Sequence, residues 1–396
     1  MKWNYKNHMI LFFVLVALEN LAANFAHPIT PTLIKELALP DYSFGVLYAG
    51  MAFTNFLFSP MWAKQVKRIG SKKVLGICCV GYGIGQLLFA IMTTLPTILM
   101  ARMLSGFFVG GIMVSYLTYI IHESKEQDRG KFLALNATFA SVFGAFGYVI
   151  GGFAGMISIR FTFLLQSLTL IISGLGFYFI LNEDKEETKE AFHFLKDANP
   201  FQAFIDSKQF MSTLFVLLFV SVFLTSTAST AYDQCFNYYI KDYFNLNSSY
   251  NGMVKAVVGF ISLLANTTIC VWLLQKSDVR KSTIYVLLCG MFFLSGIAFF
   301  NEILPFVIMN LLFFAINAIY IPLLQDLCAQ RSCNKDRDMV MGFYNAIKSL
   351  GMISGALFAG FLYEISAKLS FSFASVLFGI CAILIMIYYK KTSRYT

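Results

Sequence analysis

The sequence predicts an all-α integral membrane protein, with 12 transmembrane helices in two pseudo-symmetric six-helix halves. Of its 396 residues, 58% are hydrophobic and only 13% are charged, whereas soluble domains average about 25% charged residues. The apolar residues form long runs, and the two halves of the chain match each other. No single water-soluble core could bury this much apolar surface. The composition therefore excludes a disordered chain, a disulfide-rich secreted domain and an ordinary soluble enzyme.

Twelve apolar runs are long enough to cross a bilayer. A helix rises about 1.5 Å per residue, so about 20 residues cross the hydrocarbon core. The runs have to be helical because lipid offers the backbone no hydrogen-bond partner. We predict the first span at residues 9–30. It contains Glu19, Asn20 and Asn24, which do not suit the apolar core of a signal peptide, so we assign it to a helix of the mature protein.

The lysines and arginines are distributed asymmetrically between the loops. Most of the 30 basic residues fall in alternate loops, and the intervening loops contain Lys35, Arg160, Lys241 and Lys368. Because basic loops stay on the cytoplasmic side, we predict a multi-pass protein of the cell membrane with both termini in the cytoplasm. The same distribution accounts for the net charge of +9 without a nucleic-acid partner.

The longest loop divides the runs six and six. We predict an N-terminal half at residues 1–181, a cytoplasmic linker at residues 182–209 and a C-terminal half at residues 210–396. The halves match at one constant offset. The matched pairs are Lys72 with Arg280, Lys73 with Lys281, Arg102 with Asn310, Gly147 with Gly355, Gly151 with Ala359 and Gly152 with Gly360. Two parallel repeats of this kind predict a binding site between the halves and alternating access to it.

The sequence lacks the usual motifs of disulfide-bonded, nucleotide-binding and catalytic proteins. Six of the eight cysteines lie in apolar runs, where they are small packing residues, and we expect no disulfide framework. The sequence has no P-loop, no nucleotide-binding fold, no zinc-protease motif and no nucleophile motif. We therefore predict that the protein is not an enzyme, and we expect no cofactor, no metal site and no ATP-driven transport by this chain alone.

Glycines and basic residues form the remaining patterns. We assign six glycines to close helix packing, because small residues let membrane helices approach each other. They are Gly106, Gly110, Gly147, Gly151, Gly152 and Gly355. The loop after the second run combines a glycine with basic residues, and we consider it either an inside anchor or a gating loop. These residues are Lys67, Arg68, Gly70, Lys72 and Lys73.

Together these motifs resemble the major facilitator superfamily, and within it the twelve-helix drug–proton antiporters. Residues 63–73 are similar to that family's basic loop, residues 102–110 to its arginine–glycine helix, and residues 147–152 to the glycine motif of the antiporters. Lys67 stands where the family has an aspartate, and Tyr148 stands where it has a proline. The resemblance implies a proton-coupled transporter, with Arg102 near a protonatable acid.

Several ionisable residues lie inside predicted spans, where a charge is costly and usually functional. We assign three of them, Glu19, Arg102 and Asp233, to proton coupling. Burial favours the protonated form of a carboxyl group, whereas a nearby arginine favours the charged form. We expect Arg102 to meet Glu19 in one conformation of the cycle. Asp326 and Lys348 lie nearer the inner surface, where water or snorkelling can satisfy them.

Weakly polar and aromatic side chains are the predicted lining of a substrate cavity. The candidates are Asn20, Asn24, Tyr48, Asn55, Tyr116, Asn136, Tyr232, Gln234, Asn237, Asn317 and Tyr320. Such a wall suits an amphipathic or cationic organic molecule, through stacking and cation–π contacts.

The leading hypothesis is a proton-coupled, multidrug-type exporter. Its expected partners are a small-molecule substrate, protons and the lipid bilayer, and we expect a monomer. Alternatives are a proton symporter or facilitator for a nutrient or lipid-like metabolite and, from a different class, a non-transporting membrane sensor.

Overall fold

The computed structural model describes residues 5–182, 199–332 and 336–393. In these ranges the regular structure is helical, without strands. Eleven helices are long and apolar enough to cross a membrane, and His8–Ala23 forms a shorter apolar helix. The predicted all-α membrane fold with 12 spanning segments is confirmed. The predicted linker at residues 182–209 falls largely outside the described residues.

The spanning helices follow the order of the apolar runs. In the first part of the chain they are α1 (Tyr5–Ala23), α2 (Ser43–Ile69), α3 (Ser71–Ile91), α4 (Leu95–Glu123), α5 (Glu126–Ile157) and α6 (Ile159–Ile180). In the second part they are α7 (Thr213–Asp242), α8 (Ser248–Lys276), α9 (Val279–Phe299), α10 (Ile303–Arg331), α11 (Arg337–Ile365) and α12 (Leu369–Thr392). The short helix Gln202–Asp206 precedes α7.

Helix α1 ends seven residues earlier than the sequence predicts. The chain leaves the helix after Ala23 and starts a short second helix, Thr30–Glu36, with a proline in its first turn. That proline is Pro31, and a first-turn position suits a residue that lacks a backbone N–H. Pro28 cannot donate to the backbone of a continuous helix. One helix over residues 9–30 was therefore wrong at its C-terminal end.

The described chain packs into two compact units. Unit 1 comprises the described parts of residues 1–40, 50–200 and 246–256, and unit 2 those of residues 41–49, 201–245 and 257–396. The predicted boundaries of the two halves remain predictions.

Each unit has the same internal set of helix neighbours. In unit 1, α3 packs on α4 and α6, and α1 packs on α5 and α6. In unit 2, α9 packs on α10 and α12, and α7 packs on α11 and α12. Each of these helices in unit 2 therefore has the neighbours of the helix six places earlier, as expected for a duplicated six-helix scaffold.

Candidate functional site

A buried carboxylate lies at the contact between α1 and α4. Glu19 is 2% exposed, and its Oε2 accepts a hydrogen bond of 2.8 Å from the hydroxyl of Tyr116. Among the described residues Glu19 forms this hydrogen bond and no ion pair. A buried charge without a partner of opposite sign is costly, which distinguishes Glu19 from a carboxylate held in an ion pair.

The asparagines next to Glu19 are bound to their own helix. The side-chain amide of Asn20 donates to the carbonyl of Val16 at 2.9 Å, and that of Asn24 donates to the carbonyl of Asn20 at 2.8 Å. One N–H of each amide is therefore occupied in this structure, which leaves its second N–H and its oxygen open to a ligand.

A second polar cluster lies about three turns away on the same face of α1, or roughly 16 Å at 1.5 Å per residue. His8 is buried, its Nε2 hydrogen-bonds the hydroxyl of Tyr119, and it lies 3.7 Å from Oε2 of Glu123. Phe12 separates the clusters, with its ring 4.8 Å from that of Tyr119. Our sequence reasoning missed this cluster. The helical spacing of His8, Phe12 and Glu19 was the signal that could have found it.

Arg102 is buried in unit 1 but does not lie against Glu19. Its guanidinium carbon is 4.1 Å from the centre of the Phe89 ring. Nη2 donates to Thr30 at 3.2 Å, and Nη1 lies 3.8 Å from the sulfur of Met51. Arg102 and Tyr116 are separated along α4 by roughly 21 Å at 1.5 Å per residue. Glu19 is bound by Tyr116, about four turns of α4 from Arg102, and the expected contact between Arg102 and Glu19 is not made in this structure.

Asp233 and Tyr232 occupy different environments on α7. Asp233 is half-buried, whereas Tyr232 is fully buried. The Tyr232 hydroxyl donates to Oδ1 of Asn310 at 2.6 Å, and its ring centre is 4.5 Å from that of Phe313. Tyr232 therefore belongs to the aromatic core of unit 2. Asn310, which matches Arg102 in the repeat, holds this hydroxyl.

The other predicted lining residues divide between the two units. Asn20, Asn24, Asn55, Tyr116 and Asn136 lie in unit 1, and Tyr48, Tyr232, Gln234, Asn237, Asn317 and Tyr320 lie in unit 2. The structure brings Asn317 to Ser229, whose hydroxyl donates to Asn317 Oδ1 at 2.9 Å. Ser229 and Tyr320 line a cavity of about 140 Å³ inside unit 2, and Lys348 lines it as well. We had not assigned Lys348 to the site.

The glycines lie where backbones meet. A Cβ atom on Gly106 would lie 2.0 Å from the carbonyl oxygen of Met51. Cβ atoms on Gly147 and Gly355 would each lie 2.2 Å from a carbonyl oxygen, of Leu21 and Thr227 respectively. Similar distances hold for Gly110 (2.8 Å from Ser59 Oγ), Gly151 (2.2 Å from Phe25 O) and Gly152 (2.7 Å from Ser248 O).

The basic loop is a tight turn. Lys67 and Arg68 end α2, Lys72 and Lys73 begin α3, and Gly70 joins the two helices with a φ of 86°. This backbone conformation favours glycine. Within the described ranges, no group of three or more metal-binding side chains forms a metal site.

Comparisons with known proteins agree with this helical architecture. The sequence model of the Major Facilitator Superfamily matches residues 12–332 and, in an overlapping match, 235–396. Multidrug resistance protein 2 of Bacillus subtilis is 21% identical over 369 residues, or 92% of this chain and 90% of that protein.

Two solved transporters have similar folds. The nucleoside transporter NupG is 13% identical with a TM-score of 0.74 over 97% of this chain and 98% of that one. The D-xylose–proton symporter is 17% identical with a TM-score of 0.72, again over 97% and 98%. At these identities the likeness describes the fold.

Proposed function

Because the chain belongs to the Major Facilitator Superfamily, a family of membrane transporters, we propose that it exports amphipathic or cationic organic compounds in exchange for protons. It works as a secondary active transporter by alternating access. Similarity to a multidrug resistance protein along most of the chain supports this substrate class. The observation that carries the proposal is the buried Glu19 carboxyl group, which is bound by Tyr116 and lies in an apolar helix.

Glu19 is the proposed proton carrier. A carboxyl group in a water-poor site is stable when neutral, and opening the site to water lets it release its proton. The Tyr116 hydroxyl stabilises the charged form by donating a hydrogen bond. In each cycle the carboxylate is neutralised by a proton from the outer side and becomes charged again when it releases that proton to the inner side. The substrate crosses in the opposite direction.

Arg102 acts on this cycle as a fixed positive charge, since its guanidinium does not lose a proton in proteins. In the present structure Arg102 contacts Phe89 and Thr30 instead of the acid. Arg102 would stabilise the charged form of Glu19 more strongly if α1 and α4 shifted during transport so that the two side chains came closer. Asp233, in unit 2, is the second proposed coupling acid.

The test is uptake into proteoliposomes with an imposed pH gradient, using a panel of cationic dyes. We expect the wild type to accumulate dye against its gradient when protons flow the opposite way. Glu19→Gln keeps the size of the side chain and an oxygen that can accept the hydrogen bond from Tyr116, but it cannot carry a proton. We therefore expect uphill accumulation to be lost while downhill dye exchange persists.

The matched control is Asp326→Asn, which makes the same chemical change in a side chain that is bound to Gln330 on α10 and has no role in the proposal. It should retain uphill transport. Dye accumulation in the same direction as the proton flow would indicate a symporter and contradict export. Full uphill transport by Glu19→Gln would remove Glu19 from the proton path.

A further inference from the structure

Lys348, a half-buried cation in unit 2, makes no contact with an oppositely charged side chain among the described residues. Lys348 lies on α11, roughly 16 Å along the helix from Arg337 at 1.5 Å per residue, and inside the apolar span Met339–Ile365. In the part of the chain that the structure describes, its ammonium group makes no hydrogen bond and no ion pair. At this depth the side chain reaches water less easily than it would near the helix end. A charge here is usually stabilised by a group of opposite charge.

Lys348 lines a partly open cavity that is rich in hydroxyl groups. The cavity has a volume of about 140 Å³ and is bounded by α7, α10 and α11. Ser226, Thr230 and Tyr344 also line it, and their hydroxyls make no hydrogen bond with other described residues. Each of these hydroxyls can donate one proton. The cavity therefore combines one positive charge with three available donors.

The described residues that line this cavity include no aspartate or glutamate. Two other hydroxyl groups in the lining already have hydrogen-bond acceptors. Thr225 donates to the carbonyl of Ser221, and Ser229 donates to Asn317. A site with a cation, free donors and no acid is complementary to an anion, because charged hydrogen bonds to an oxyanion are short and strong. Its volume is below that of a drug-sized pocket, roughly 300–1,000 Å³, so it fits one group of a larger molecule.

We propose that Lys348, Ser226, Thr230 and Tyr344 form an anion subsite that binds a carboxylate of the transported compound. The inference rests on the proposed function, since it names which amphipathic organic compounds the transporter prefers: those that carry a carboxylate, including zwitterions with a separate cationic group. A compact inorganic anion is the other possible source of the same negative charge.

The experiment compares one dye in two forms. A rhodamine with a free carboxylate and the methyl ester of the same rhodamine differ only at the group that the subsite would bind. Their binding to the purified, full-length protein is measured by fluorescence polarisation in chloride-free buffer. We expect the wild type to bind the acid about tenfold more tightly than the ester, the size expected of one charged hydrogen-bonded contact.

Three variants locate the contact. Lys348→Met should abolish the preference for the acid and leave ester binding unchanged, and Lys348→Arg should restore part of it. Ser226→Ala should weaken acid binding several-fold. Its matched control is Ser221→Ala on the same helix, where the hydroxyl is already bound to the carbonyl of Leu217, and this variant should bind like wild type. Unchanged acid binding in both Lys348→Met and Ser226→Ala would overturn the proposal.

The two remaining outcomes are distinct from each other. If chloride or phosphate stabilises wild type but not Lys348→Met against heat, and the dye forms bind equally, the subsite holds an inorganic anion and the proposal is wrong. If the acid preference depends on Lys348 but no dye is driven uphill by a pH gradient, the subsite stands and proton-coupled export fails.

Discussion

The two units share one packing scheme but differ in their charged side chains: unit 1 buries Glu19 and Arg102, whereas unit 2 has the half-buried Lys348. Unit 1 buries the carboxyl group of Glu19 against Tyr116, and the position in unit 2 that matches Glu19 is Thr227, whose hydroxyl donates to its own helix. Unit 2 instead contains Lys348 beside a hydroxyl-lined cavity. Backbone packing is therefore what the duplicated scaffold retains, while its polar side chains have diverged.

The largest expected effect separates the acids of the two units. Glu19→Gln should reduce proton-driven uphill transport at least about tenfold, because a buried group that cannot titrate cannot couple proton and substrate movement. Asp233→Asn should reduce it only a few-fold, because Asp233 is half-buried and water can share its role. Initial rates in proteoliposomes measure both. Equal losses in the two variants would mean that the units share proton coupling.

The next effect tests whether the packing is truly repeated. Gly147→Val and Gly355→Val should each destabilise the protein by about 2–3 kcal/mol, since the added side chain meets a backbone carbonyl that cannot move alone. Thermal unfolding in detergent measures the loss. Gly342→Ala is the control, because a Cβ atom there meets nothing within 4 Å. A large loss of stability in one glycine variant and none in the other would show that the two helix contacts are not equivalent.

The third prediction concerns the matched positions of Arg102 and Asn310. Arg102→Ala should move the pH midpoint of substrate binding upward by roughly half a unit. Arg102 does not contact the acid, and a unit charge about 20 Å away contributes less than about 1 kcal/mol at an effective dielectric constant near 20. Arg102→Lys should partly restore the midpoint, and Asn310→Ala should leave it unchanged. Identical titration curves for wild type and all three variants would reduce Arg102 to a packing residue.

The smallest effect compares two buried tyrosine hydroxyls. Tyr116→Phe and Tyr232→Phe each remove one hydrogen bond, to Glu19 and Asn310 respectively. Each should cost about 1 kcal/mol of stability. Only Tyr116→Phe should also change the pH profile of transport, because its partner is the proposed proton carrier. A changed profile in Tyr232→Phe would place the proton path in unit 2 as well.

The sequence was sufficient to predict the spanning helices, since apolar length and the absence of water dictate them. It misjudged the end of α1, because hydropathy continues through residues 24–30 while the backbone at Pro28 and Pro31 cannot continue the helix. The glycine spacing identified positions that the structure places against carbonyl oxygens, at Gly147 and Gly355 for example.

Side-chain partners were harder to predict than helices. The choice of Glu19 followed from its charge, but its hydrogen bond to Tyr116 depends on how α1 and α4 are rotated, which no local pattern specifies. For the same reason we expected Arg102 to approach Glu19. The cavity beside Lys348 depends on three helices that are distant in sequence, so Lys348 looked like a residue near a water-exposed helix end.

The role of Glu19 can be measured as the number of protons exchanged when the purified protein binds a cationic dye in weakly buffered detergent solution. If Glu19 couples substrate to proton, wild type releases protons on binding over a limited pH range, and Glu19→Gln binds the dye without releasing them. Asp326→Asn should behave like wild type. Equal proton release by wild type and Glu19→Gln would contradict the account.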